Sequence, residues 1–177
     1  MSQRLRWGAQ AFAVALVLAL LALLVWRVAH GNGQGVSQAL AAGKRPSAPN
    51  FTLPRLAGAG KVELASLRGK PVVLDFWASW CVPCINESQR LQARYARYRD
   101  RVAFLGVDTK DYAPDARRWL AQHHITYPSV HDGSGGVLSR WGGLPIPKEF
   151  FIKRDGKVAC ELIVEEDLDR CLREIAS

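Results

Sequence analysis

Methionine is almost missing from this chain, with Met1 the only one, and just four cysteines and four histidines occur among 177 residues. Without a Met-rich or His-rich tract, the sequence lacks the soft-donor arrays of a dedicated copper carrier. Acidic side chains are absent from residues 1–45, which hold Arg4, Arg6, Arg27, Lys44 and Arg45. Those five supply most of the formal net charge of +8; the rest of the chain carries 19 basic and 16 acidic side chains. The basicity is therefore a property of the N-terminal segment. No basic cluster interleaved with aromatics remains to grip a phosphate backbone, which argues against nucleic acid as a partner. Internal repeats and low-complexity tracts are also lacking.

Charge is absent again from Trp7 to Trp26, and Ala11 to Trp26 is unbroken Ala, Val, Leu, Phe and Trp. About twenty helical residues span the ~30 Å hydrocarbon core of a bilayer. Trp7 and Trp26 suit the two interfaces, with Arg6 and Arg27 just outside. The small residues that signal cleavage requires are missing after the run, which ends Trp26-Arg27-Val28-Ala29-His30, and Ala39-Leu40-Ala41 lies too far downstream. An uncleaved anchor is expected. The division is a cytoplasmic head over 1–6, a transmembrane signal anchor over 7–27, a flexible linker over 28–49 rich in Gly, Ala, Ser and Pro, and a globular domain over 50–177. An exported domain in an oxidising compartment can keep disulfides.

The globular part alternates between strand and helix periods. Phe51-Thr52-Leu53 and Lys61-Val62-Glu63-Leu64 read as a short opening strand pair. PVVLDFWA (71–78) reads as a central buried strand, and 81–98 as a helix with Leu91, Tyr95 and Tyr98 on one face. Arg90, Arg94, Arg97 and Arg101 form a second row, read as solvated. VAFLGVD (102–108) is a further strand, APDARRWLAQHH (113–124) a helix, YPSVHD a short strand and GGVLSRW a short helix. EFFIKRDGKVACELI (149–163) makes a hairpin around Asp155-Gly156, and EEDLDRCLREIA closes as a helix with acids in its first turn. The pattern predicts an α/β domain with a mixed sheet flanked by helices.

Cys81-Val82-Pro83-Cys84 admits three readings. A zinc site would need further ligands, such as Cys160 with Cys171 or His123 with His124, and structural zinc pairs sit in loops rather than between a buried strand and a helix. A permanent disulfide closing so small a loop would stabilise little. A redox-active pair fits best. Free N–H groups at a helix start favour a thiolate at Cys81, and Cys84, one turn along, can resolve the mixed disulfide. Pro83 stiffens the turn without spoiling the helix start. Nor is there a lone cysteine in a Pro/Thr-rich loop, as a peroxidase would need.

VVLDFWASWCVPC resembles the active-site strand and helix start of the thioredoxin superfamily. WCVPCINE is further similar to its membrane-anchored bacterial branch, the TlpA/ResA/CcmG (DsbE) thiol–disulfide reductases. FTLP, GVLSRWGGLPIPKEFFI and the DGKV hairpin fall in that family's order, and the likeness runs from about Pro49 to the C-terminus. The resemblance implies a thioredoxin-like fold, with Cys81 as nucleophile and Cys84 as resolving thiol. It implies a cis-proline facing the nucleophilic sulfur, best matched by Pro147 with Pro145 the rival, and a client groove that includes Ile146, Trp80, Val82 and Pro83. Lys148-Glu149 departs from the family, which has two small polar residues or an acid–Thr pair there. Asp75 matches thioredoxin's buried proton acceptor, and Glu87 the glutamate that the anchored branch places beneath its cysteines.

Even without the family, an aspartate in an apolar strand is unusual, because a buried carboxylate is costly unless it has a partner or a function. No Lys, Arg or His lies between the cysteines, and acids near the pair disfavour thiolate, which points towards a reductant. Cys160 and Cys171 both point into the layer between the last helix and the sheet. They are either a structural disulfide or two buried thiols.

The expected protein is a single-pass bacterial inner-membrane protein, with its domain on the periplasmic side, reducing disulfides in exported proteins. Clients implied by resemblance are apocytochrome c or an oxidase copper-site protein, and the electron donor a membrane protein of the DsbD/CcdA kind. No cofactor beyond the Cys81–Cys84 disulfide, and no metal, is expected. Alternatives are a thiol oxidase or isomerase of the same fold, and a dithiol module that delivers copper.

Overall fold

A computed structural model describes residues 2–30, 35–162 and 167–176, without the side chains of residues 2–6, 8, 9, 11 and 27–30. Two compact units emerge, residues 1–33 and 34–177. The first contains a single helix, α1 (Ser2–His30), that carries the apolar run. Among the described residues no helix is long and apolar enough to cross a membrane. The described side chains of α1 run without a gap only over 12–26. Residues 2–6 of the proposed head form the start of this helix, while their side chains and that of Arg27 lie outside the described ones.

The second unit is built on a five-stranded sheet in the order β5-β4-β3-β6-β7. Its strands are β3 (Val72–Trp77), β4 (Ala103–Thr109), β5 (Ser129–Asp132), β6 (Lys148–Ile152) and β7 (Val158–Glu161). β3 pairs parallel with β4 and antiparallel with β6. Every residue of β3 is buried, as expected for a central strand covered on both faces. The opening hairpin, β1 (Thr52–Pro54) with β2 (Lys61–Glu63), is antiparallel, with Leu53 opposite Val62. Leu64, expected in the second strand, instead begins a short 3-10 turn. The mixed sheet and flanking helices are those of a thioredoxin-like α/β fold.

Helices α3 (Cys84–Tyr98), α4 (Ala113–Gln122), α5 (Gly136–Trp141) and α6 (Leu168–Ala176) complete the unit. Leu91 of α3 is fully buried, with Tyr95 and Tyr98 packed against the core. Leu168, Cys171, Leu172 and Ile175 form the buried stripe of α6. The first-turn acids expected from Glu165 and Glu166 lie outside the described residues. Phe76, Phe150 and Trp141 meet in an aromatic cluster with ring centroids 4.9–5.9 Å apart.

Two expectations need correction. The arginine row of α3 is not simply solvated. Arg94 clamps Asp169 of α6 with two hydrogen bonds of 3.1 Å, and Arg90 binds Glu87 at 2.5 Å. A long side chain with a planar fork makes such a clamp wherever a carboxylate on a neighbouring helix comes within reach. The stretch 28–49, expected as a tether, is folded over its second half: α2 (Val36–Ala41) buries Val36 and Ala39. Ser37 Oγ donates to Trp141 O at 3.0 Å and to Glu161 at 2.8 Å, and Ser47 bridges Lys157. Gly, Ala and Ser composition suggested flexibility, but Val36, Ala39 and Leu40 provide enough apolar surface to dock a one-and-a-half-turn helix. Replacing Val36 by Asp is expected to cost about 3 kcal/mol by burying an unpaired charge, read as a lowered urea midpoint. An unchanged midpoint would return α2 to the status of a tether.

Candidate active site: a disulfide above buried carboxyls

Between the end of β3 and the start of α3, the chain turns through residues 78–83. Backbone bonds Cys81 N→Ala78 O and Cys84 N→Cys81 O, both 3.1 Å, close that turn. Cys81 and Cys84 are joined as a disulfide, with Sγ atoms 1.99 Å and Cα atoms 5.4 Å apart. The helix begins at Cys84, with Pro83 at its cap, rather than at Cys81. Cys81 therefore sits in the turn ahead of the first helical residue. Cys81 is 4% exposed and Cys84 fully buried, so the first sulfur is the one a client can reach.

Facing Cys81 is the segment 144–147. The Ile146 carbonyl oxygen lies 3.8 Å from Cys81 Sγ, and Ile146 itself is buried. Both the Leu144-Pro145 and Ile146-Pro147 peptides are cis. Pro145 and Pro147 flank Ile146, so the expected candidate and its rival both adjoin the residue whose carbonyl meets the sulfur. Trp80, Val82 and Pro83 are exposed beside the disulfide. Two further exposed apolar side chains adjoin the same loops, Tyr112 at 78% and Leu144 at 52%. Neither was identified from sequence, although an apolar residue left in a polar or glycine-rich loop was the available signal.

A loop after β4 props the cysteine turn. Asp111 accepts from Ser79 N at 2.6 Å and from Ser79 Oγ at 3.0 Å, and Trp80 Nε1 donates to Lys110 O at 3.0 Å. At the base of this loop Asp108 is fully buried, with His131 Nδ1 2.6 Å from its Oδ2. Burial, reinforced by the charge of Asp111, pushes the Asp108 carboxyl up to about 8. None of Asp108, Asp111 and His131 was singled out from sequence.

Beneath the disulfide lie three buried acids. Asp75, in the middle of β3, is 2% exposed; its Oδ2 accepts from Tyr127 Oη at 2.6 Å and from Ser88 Oγ at 3.5 Å. Ser88 is one helical turn beyond Cys84, so Asp75 sits under the first turn of α3. Burial raises its carboxyl to about 7; the Tyr127 hydrogen bond opposes the rise and the Glu87 charge adds to it. Glu87 is 8% exposed and turned inward rather than to solvent. The third is Glu149, 2% exposed and directly opposite Asp75 in the antiparallel β3–β6 register. Burial holds Glu149 well above the usual carboxylate range, with the charges of Asp75 and Glu87 pushing the same way and Arg90 pulling against them. Sequence reading noted Glu149 only as a departure from the family pattern. Its signal was a carboxyl inside an otherwise apolar strand.

Cys160 and Cys171 are buried free thiols here, in place of the possible disulfide. Each lies in hydrogen-bonding reach of the other, which raises the Cys160 thiol and lowers that of Cys171. Cys160 Sγ also lies 3.3 Å from Glu174 Oε2, so a carboxylate competes for its proton.

Residues 45–160 match the AhpC/TSA family. The chain belongs to this family of thioredoxin-like proteins. Among curated relatives, the thiol-disulfide oxidoreductase ResA of Bacillus thuringiensis is 33% identical over 132 residues, covering 72% of this chain and 76% of the relative. ResA of Geobacillus thermodenitrificans is 31% identical over 164 residues, covering 90% and 92%. Among solved structures, a thiol:disulfide interchange protein DsbE from Chlorobium tepidum superposes with a TM-score of 0.69 at 28% identity, over 75% of this chain and 97% of that one. A secreted disulfide oxidoreductase of Mycobacterium tuberculosis, homologous to the DsbE of E. coli, gives 0.63 at 25% identity, over 70% and 95%. With the joined CxxC pair, these likenesses make this family member a thiol-disulfide oxidoreductase of the ResA/DsbE type.

Proposed function

We propose that the protein is a membrane-anchored, extracytoplasmic reductase of disulfides in exported proteins. The observation that carries the direction is the set of buried acids under a CxxC pair that has no cation between its cysteines. Negative charge nearby disfavours the thiolate, so the dithiol gives up its electrons more readily and the disulfide is the favoured form. A strong oxidant needs the opposite, a stabilised thiolate. In this reading Cys81 attacks the client disulfide and Cys84 resolves the mixed disulfide. Asp75 and Glu87 handle the protons, while Pro147 and Ile146 shape the groove with Trp80, Val82 and Pro83.

Anchoring is supported by the uncharged run from Trp7 to Trp26 and by the exposure of every described side chain from Phe12 to Trp26, an apolar surface that a bilayer would cover. The domain then faces the periplasm from a bacterial inner membrane. Clients are haem-attachment cysteines of apocytochrome c or the cysteines of an oxidase copper site, and electrons arrive from a DsbD/CcdA-like membrane donor. No cofactor is used besides the Cys81–Cys84 disulfide. These assignments rest on the resemblance of WCVPCINE and the anchor to the TlpA/ResA/CcmG branch.

The test is the reduction potential of the Cys81–Cys84 pair, measured on the full chain in detergent with Cys160 and Cys171 replaced by Ala. A value near or below that of thioredoxin, ~ −270 mV, is expected. A value near ~ −120 mV would mean an oxidase and would remove the reductase reading.

A further inference from the structure

The β3–β6 register places two carboxylic side chains face to face in the sheet. Asp75 is the direct antiparallel partner of Glu149, and residues opposite one another in such a pair project from the same face. Both are 2% exposed. Asp75 Oδ1 and Glu149 Oε1 have no hydrogen-bond partner among the described residues, and neither does Oε1 of the neighbouring Glu87. Two ionised carboxylates cannot sit side by side in so dry a place without a large cost. A proton held by the pair removes one of the two charges and gives an orphaned oxygen a donor.

The other groups around the pair do not neutralise it. Tyr127 donates its hydroxyl proton to Asp75, and Ser88 also bonds there. From α3, Glu87 adds a like charge. Arg90, the cation that acts on Glu149, is already engaged by Glu87. Lys148, the neighbour of Glu149 in sequence, is paired with Glu161 at 2.9 Å. Among the described residues the one cation that acts on Glu149, Arg90, is thus shared with Glu87 rather than dedicated to the pair.

We propose that Glu149 is a positioning residue of the thiol–disulfide site, one that sets the protonation of Asp75 across the sheet so that the two carboxyls carry at most one negative charge in the working pH range. The proposal rests on the reading of Asp75 as the proton acceptor of Cys84. In the step concerned, the Cys84 thiol passes its proton to the singly charged pair, which becomes neutral. The Cys84 thiolate then attacks Cys81 Sγ, the Cys81–Cys84 bond forms, and the bond from Cys81 to the client breaks. The client, having gained two electrons overall, leaves as a thiolate and takes the proton back from the pair. Glu149 touches none of the sulfur atoms in this scheme. Its effect passes through Asp75.

The experiment measures the rate of mixed-disulfide resolution against pH, on the full chain in detergent, for the wild type and for E149Q, E149D, D75N and D75N/E149Q. E149Q leaves the Asp75 carboxylate without the shared proton that stabilises it, so the midpoint at which the pair first loses a proton is expected to move up by about one pH unit. E149D, which keeps a carboxyl, should stay nearer the wild type, and the E149Q shift should vanish in the D75N background. A purely structural Glu149 would change rate or stability and leave the midpoint in place, which overturns the proposal. A shift of equal size in the D75N background overturns it too. If D75N itself leaves the profile unchanged, the proton-acceptor reading of Asp75 fails and the Glu149 proposal fails with it. If D75N alters the profile and E149Q does not, only the Glu149 proposal fails. Should E149Q not fold, an infrared carboxyl titration of the wild-type chain decides the matter. Loss of the buried protonated carboxyl band in two separated steps is expected, and a single step would be decisive against a coupled pair.

Discussion

In a Cys84→Ser variant, the protein is expected to accumulate as a covalent mixed disulfide with its client or with a small disulfide probe. Cys81 remains on the accessible side of the pair and can still attack, whereas the buried residue that would release it has lost its thiol. The complementary Cys81→Ser variant should form no such adduct, with exchange falling roughly a thousandfold or more, because a serine hydroxyl does not replace a thiolate nucleophile. Intact-mass measurement followed by peptide mapping reads both outcomes. An adduct mapped to Cys84, Cys160 or Cys171 would reverse or abolish the assigned order of attack. Cys160 and Cys171 are poor competitors because both are buried behind the sheet and α6.

The second large effect concerns Asp75→Asn and its dependence on pH. The carboxyl of Asp75 is raised by burial from an ordinary 3.8 to about 7 in the folded protein. Its folded form therefore binds a proton more tightly than its unfolded form. The corresponding stability is fully present below about pH 4 and is lost as pH rises through about 7. Between pH 5 and 8 this group should remove about 3 kcal/mol from the wild-type oxidised protein. An asparagine, uncharged throughout, is spared that loss. D75N should consequently unfold at a higher urea concentration than wild type at pH 8, with the gap closing towards pH 4. Groups that do not interact with Asp75, Asp108 among them, cancel in the difference, whereas Glu149, which feels the Asp75 charge, changes with it. A gap that does not change with pH would show that Asp75 keeps its charge when buried. The same variant is expected to slow resolution by Cys84 on the order of a hundredfold near neutral pH, the usual worth of a positioned base. Stability gained and rate lost at one residue is the signature of a group kept for chemistry rather than for folding.

Much of the chain could be read before any coordinates. The β-branched run 71–78 read as a buried central strand, and its continuation into Trp-Cys-Val-Pro-Cys read best as a redox turn, because the pair falls between a buried strand and a helix start rather than in a loop. Local periodicity also located β4, α4, α5 and the hairpin of β6 and β7. The inward set of α6, with Cys171 in it, followed from spacings of three and four. What went astray was information that depends on neighbours distant in sequence. Val36 and Ala39 looked like tether residues because composition reports flexibility only when nothing is available to pack against, and β7 and α5 were available. Arg94 looked solvated because its partner, Asp169, lies far along the chain.

The acids show the division most sharply. Asp75 was legible alone, since a carboxyl in the middle of an apolar strand must be buried by that strand's own position. Glu87 was legible through its match to the family's glutamate, three residues after Cys84 in sequence. Glu149 was visible as an oddity whose meaning depended on register. Alternation along β6 says that Glu149 and Phe150 face opposite sides, but nothing local says which side meets Asp75. Tyr127, Asp111 and Tyr112 reach the site through loops, where sequence carries no period to follow. The sequence by itself determined the redox pair, the strand that carries it and the buried aspartate, because each is specified by residues within a few positions of one another. Tertiary structure alone decided that a second carboxyl faces the first across the sheet, and that it is the Ile146 carbonyl that lies 3.8 Å from the sulfur. Strand pairing and loop approach bring together groups more than sixty residues apart, and the cost of burying their charges is set by that assembly, not by any local segment.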